Sequence, residues 1–103
     1  MKNIFDALNA IKIKPELYIG AKNLTYLYHF INGYNFKSLT TEDATSRDYI
    51  QELHFWLPEK TGVEIDDWLQ NLLLKADFDE EKALLLFFDY LEIFKIEKGF
   101  VSQ

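Results

Sequence analysis

The run Asp79-Glu80-Glu81-Lys82-Ala83-Leu84-Leu85-Leu86-Phe87-Phe88-Asp89-Tyr90-Leu91-Glu92-Ile93-Phe94-Lys95 reads as one uninterrupted helix. Asp79, or Asp77 two residues earlier, can accept backbone N–H groups as an N-cap, and Glu80 and Glu81 suit the positive end of the helix dipole. Leu84, Phe87, Phe88, Leu91 and Phe94 recur at spacings of three and four and share a face. Ala83, Leu86, Tyr90 and Ile93 make much of the adjoining face apolar, which leaves little of the circumference for water. A helix of this length runs roughly 25 Å, the width of a small domain, so it is expected to be a central post with other helices around it. Its bare apolar run, Ala83 to Phe88, is far too short to cross a bilayer.

Working back from this post, Ile65, Trp68, Leu69, Leu72, Leu73 and Ala76 fall at helical spacing. They predict a helix from about Val63 or Asp66, with Asp66 and Asp67 in its first turn and Asp77-Phe78-Asp79 as the break before the post. Tyr49, Ile50, Leu53, Trp56 and Leu57 form another stripe, which Ser46 can cap and Pro58 should stop, leaving Glu59 to Gly62 as a turn. Ser38 to Ser46 is polar and Thr-rich, and reads as a surface loop. A helix over about Asn23 to Phe36 presents Leu24, Leu27, Tyr28, Ile31 and Tyr34, with Tyr26 and Phe30 on an adjacent face. Asn3 can cap a first helix carrying Ile4, Phe5, Leu8 and Ile11, which Pro15 ends near Lys12. The connection Lys14 to Gly20 is then expected to be a turn with Leu17, Tyr18 and Ile19 tucked inward, and Gly99 is expected to stop the last helix. No period-two strand, repeat or low-complexity tract competes. The expected fold is all-α, a compact single-domain bundle of about five helices over residues 1–103.

A chain of 103 residues with 49% hydrophobic and 17% aromatic residues can bury a large core unaided. It has no cysteine, so neither disulfides nor thiolate metal sites contribute. Met1 to Asp6 offers no apolar segment of the kind a signal peptide needs, so the expected compartment is the cytoplasm. Charge is more telling: the formal net charge is −6, distributed as +1 over residues 1–51 and −7 over residues 52–103. Nucleic-acid binding needs a basic stripe to displace counterions, and none is present. An acidic half suits a cationic partner, although acidity also serves solubility alone.

No catalytic or cofactor-binding constellation can be assembled. His29 and His54 lie on different predicted helices with no ligand-spaced neighbour, and ordinary packing explains them better than a metal does. Asp77-x-Asp79-x-Glu81 is a weak echo of a calcium loop, with Lys82 where the glycine turn is needed. Ser38, Ser46 and Ser102 stand in no nucleophile setting. The paired acids Asp66/Asp67 and Asp79/Glu80/Glu81 sit at predicted helix starts, where dipole stabilisation accounts for them.

Lys14-Pro15-x-x-Tyr18-Ile19-Gly20 resembles a segment beside the nucleotide site of gyrase and MutL-type ATPases, but four isolated glycines cannot supply that fold's glycine-rich motifs. The same segment, the block Leu24-Thr25-Tyr26-Leu27-Tyr28-His29-Phe30-Ile31-Asn32-Gly33-Tyr34 and the block Asp79 to Phe88 together resemble another group over nearly the whole chain. These are the small helical immunity proteins of polymorphic-toxin and contact-dependent growth-inhibition systems, in particular the one paired with an RNase A-like toxin. Lys14 and Leu17 stand where the commoner pattern has arginine and methionine. The resemblance implies a protein with no reaction and no cofactor of its own, which binds a cognate toxin domain 1:1 and touches neither nucleic acid nor membrane. The alternative is an acidic helical interaction or regulatory module without that role. Since an RNase cleft must be cationic, the expected toxin-binding residues are Glu64, Asp66, Asp67, Asp77, Asp79, Glu80 and Glu81, with Trp68 or Trp56 as an aromatic anchor. Both tryptophans also lie on apolar stripes, where core packing is the competing role.

Overall fold

The Trp68 indole lies between the rings of Tyr28 and Phe87, with centroids at 5.0 and 5.1 Å, and is 3% exposed. This contact joins three helices of the computed structural model, which describes residues 4–40 and 49–99, the side chains of 35–40 excepted. The described residues form six helices and no strand: α1 (Ile4–Ile13), α2 (Pro15–Ile19), α3 (Leu24–Thr40), α4 (Tyr49–Thr61), α5 (Trp68–Lys75) and α6 (Glu80–Glu97). Helix α6 packs on α3, α4 and α5, the place expected of a central post.

Asp79 is the N-cap of α6, with extended backbone and a side chain accepting the Lys82 N–H at 3.0 Å. Leu84, Phe87, Phe88, Leu91 and Phe94 are all buried, as their spacing requires. The adjoining face is less covered than expected: Ile93 is exposed, as are Leu85 and Ile96, so the helix presents an open stripe to solvent. The first helix places Ile4, Leu8 and Ile11 in the same core, and Leu24, Leu27 and Ile31 of α3 join them.

Proline explains two departures from the sequence reading. Lys14 stays outside the helical region at φ −140° and ψ 76°, as a pre-proline residue should, but Pro15 then starts a helix. With its φ already helical and no N–H to satisfy, Pro15 suits the first position of α2. It is buried itself, and one helical turn later Ile19 returns to its side, which turns Leu17 and Tyr18 outward at 71% and 44% exposure. The expected inward tuck of Leu17 and Tyr18 is thus reversed. Pro58 does not stop α4 either, because it falls within the last turn and costs only one ladder bond. Its carbonyl accepts the Gly62 N–H at 3.1 Å, Thr61 Oγ1 donates to the Leu57 carbonyl at 3.1 Å, and the stop is Gly62 at φ +76°.

Helix α5 begins at Trp68, later than expected. Residues 63–67 instead form a non-helical approach, held by the buried Asn71, whose Nδ2 donates to the Val63 and Ile65 carbonyls at 2.9 and 3.0 Å. Helix α3 extends beyond the expected Phe36 and takes in Ser38 to Thr40. The expected caps at Asn3 and Ser46, the remainder of the Thr-rich loop and the end of the chain past Gly99 lie outside the described residues.

A latch holds α4 to the end of α6. Glu97 accepts the Trp56 Nε1–H at 3.2 Å and pairs with Lys60 at 2.8 Å, while the Lys60 ammonium lies 5.6 Å from the Trp56 ring centroid. The Lys60 hydrogen bond, then that from Trp56, holds the Glu97 carboxyl below its ordinary 4.5. A lowered folded-state value means that this contribution to stability is present above 4.5 and is lost as pH falls through the folded value. An NMR titration should therefore give Glu97 a midpoint below 4.5, moving up toward it in Lys60→Met; an unchanged midpoint in the variant would show that the pair does not form. Separately, Phe87→Ala, which empties a site now 1% exposed, should cost about 3–5 kcal/mol in chemical denaturation.

Candidate functional site

The acids expected to form one anionic face fall in two places. Glu64 and Asp66 are exposed on the approach to α5, whereas Asp77, Asp79 and Glu81 are exposed where α5 turns into α6. Helix α5 lies between them, about 12 Å long for its eight residues.

Three of these carboxylates are already used by the fold. Asp67 is the N-cap of α5, its side chain accepting the Gln70 N–H at 3.3 Å, so it precedes the first turn in which it was expected. Asp79 caps α6. Glu80 reaches across to α3, where Oε1 accepts the Thr25 N–H at 3.0 Å and Oε2 accepts the Thr25 hydroxyl at 2.6 Å. Thr25 is the second residue of α3, whose amide has no carbonyl partner within the helix, so Glu80 satisfies an orphan donor and places a negative charge at the positive end of the dipole. By contrast the carboxylates of Glu64, Asp66, Asp77 and Glu81 have no hydrogen-bond or ion-pair partner among the described residues.

Neither tryptophan is a free anchor. Trp68 belongs to the core, and Trp56 is half-buried against Phe94 at 5.3 Å and Tyr90 at 6.4 Å with its N–H committed to Glu97. Phe55 on α4 is the more exposed aromatic at 69%, but the one that projects among these acids is Phe78, 63% exposed, with Leu74 46% exposed one helical turn before it. Phe78 stands there because α5 ends in a Schellman turn: its N–H donates to the Leu73 carbonyl at 2.7 Å and the Asp77 N–H to the Leu74 carbonyl at 3.1 Å. Asp77 fills the position usually given to glycine, at φ +55°, and Phe78 follows at φ +63°. Two successive left-handed residues turn the chain sharply and carry the ring outward, where such a motif more often folds its apolar side chain back on the helix. The sequence offered one signal for this, an aromatic enclosed by Asp77 and Asp79 between two apolar helices.

The site therefore consists of an exposed aromatic between free and capping carboxylates, on a turn fixed by backbone hydrogen bonds. It can bind a surface that is cationic around an apolar hollow. Among the described residues no group of three or more His, Cys, Asp or Glu could hold a metal ion, and no helix is long and apolar enough to cross a membrane. Comparison with protein-family models, with curated proteins and with solved structures finds no match.

The division of labour between neighbouring acids can be checked by denaturation. Thr25→Val or Glu80→Ala should each lower stability by about 1 kcal/mol, whereas Glu81→Ala should stay within about 0.5 kcal/mol of the parent. Equal effects at Glu80 and Glu81 would contradict the cross-helix cap.

Proposed function

We propose that this chain is an immunity protein, binding a cognate cationic nuclease toxin of the RNase A-like kind in a 1:1 complex and neutralising it in the cytoplasm of the producing cell. The observation that carries this reading is the α5–α6 corner, where Phe78 is held in solvent between Asp77 and Asp79 with Glu81 on the next turn. The resemblance of the Lys14–Gly20, Leu24–Tyr34 and Asp79–Phe88 blocks to helical immunity proteins supports it, as does the charge of −7 over residues 52–103.

The physical logic follows from the toxin's task. A ribonuclease must attract phosphate, so its cleft is positive, and an inhibitor that presents carboxylates competes for the same field. Long-range attraction speeds encounter; a desolvated aromatic seated in the cleft slows escape. The inhibitor performs no chemistry in this scheme, and needs no cofactor.

An immunity gene should lie directly downstream of a toxin gene, so the test is to express a nuclease domain found encoded directly upstream and to assay RNA cleavage with increasing amounts of the protein. Cleavage should be abolished at equimolar inhibitor, while a nuclease that stays active in the presence of excess protein would leave only an acidic module without inhibitory function. Neutralising Glu64, Asp66, Asp77 and Glu81 to Gln or Asn should slow association about tenfold at low salt and flatten its salt dependence. Phe78→Ala should instead speed dissociation about 30-fold, equivalent to ~2 kcal/mol. If inhibition occurs but neither rate changes, the interface lies elsewhere on the molecule.

A further inference from the structure

A second surface is a groove of about 980 Å³ between the α1–α2 corner and α6, which shares Glu81 with the α5–α6 corner. Its floor includes Leu84, Phe88 and Pro15, all buried, and its lips carry three aliphatic side chains in solvent: Ile13, Leu17 and Leu85, at 78%, 71% and 61% exposure. One wall bears Lys12, Lys14 and Lys22 with Glu16 among them, while the α6 wall bears Glu81 and Asp89. Lys12 lies 3.8 Å from Glu92. Lys14, Lys22, Glu81 and Asp89 pair with nothing among the described residues.

This charge pattern selects the occupant. The groove carries as many lysines as carboxylates, so neither a uniformly cationic nor a uniformly anionic partner is favoured. What fits is a surface with the same apolar centre and the same division of charge, reversed. A second copy of this chain, rotated by a two-fold axis through the groove, supplies that surface: its lysine wall lies on the first copy's carboxylate wall, and the reverse. We propose that the groove is the isologous interface of a weak homodimer, with Ile13, Leu17 and Leu85 of both copies at its centre. Glu81 belongs to both surfaces, but the proposal does not rest on the toxin reading, since its readout is the mass of the protein alone.

Sedimentation equilibrium should show the parent chain self-associating with a Kd on the order of 10–100 μM, the range for a small interface. Reversing one wall, Lys14→Glu with Lys22→Glu, should weaken self-association at least about tenfold, and so should Glu81→Lys with Asp89→Lys on the other. Mixing the two reversed proteins should restore dimers, now heterodimers, because each altered wall then faces its opposite in the other chain. Circular dichroism of each variant checks that it is folded, and Ile13→Ser with Leu17→Ser provides a variant that should be monomeric with all charges intact. A parent chain that remains monomeric at millimolar concentration overturns the proposal. So does a mixture of reversed chains that fails to associate, which would mean that the walls do not face each other.

Discussion

Everything in the arrangement follows from seating Trp68 against Phe87. The pair joins α5 to α6, and Tyr28 on the other side of the indole brings in α3. To put Trp68 there, α5 begins at that residue and ends seven residues later at Lys75, with a change of direction at each end so that α6 can return past it. At the front, Asp67 caps the helix and the Asn71 amide gathers the approach. At the back, the chain reverses through two left-handed residues. The projecting Phe78 is thus a consequence of the same constraint that buries Trp68: the turn that closes the core leaves one ring outside it.

Such a turn carries a conformational cost. Left-handed backbone is disfavoured for side chains with a Cβ, by roughly 1–2 kcal/mol per residue, and glycine would avoid most of it. Asp77 softens the cost with a short polar side chain, but Phe78 has no such means. The two backbone hydrogen bonds into the last turn of α5 offset part of it by satisfying carbonyls that would otherwise be orphaned. The same two bonds fix where the backbone of Phe78 stands at the end of α5.

The long helices were legible because their apolar residues recur every three or four positions and most inward positions are large: Leu84, Phe87, Phe88, Leu91 and Phe94 are buried as the spacing demands. Proline was misread at both of its positions for a common reason. Its cost depends on where it falls in a helix, and the sequence alone does not say whether Pro15 is a first residue or Pro58 a last-turn one. The start of α5 was obscured because Ile65 continues the apolar period into a segment that Asn71 holds out of the helix by hydrogen bonds invisible in the pattern. In the acidic region, the residues were legible but their employment was not. Nothing in the order Asp79-Glu80-Glu81 distinguishes Glu80, which crosses to Thr25, from Glu81, which points into the groove.

That distinction changes what a net charge of −7 over the C-terminal half can mean. A capping carboxylate such as Asp67, or one paired with lysine such as Glu92 or Glu97, still contributes to the field at a distance or has it cancelled locally, but it cannot leave its partner to form a new short contact without cost. Steering therefore draws on the whole distribution, whereas close pairing draws on the few groups with no internal commitment, Glu64, Asp66, Asp77 and Glu81 among them. Counting acids overstates the binding surface and understates the work they do in folding. The structure places capping carboxylates at the starts of α5 and α6 and free ones on the approach and the turn beside them, so that committed and uncommitted acids share one stretch of chain.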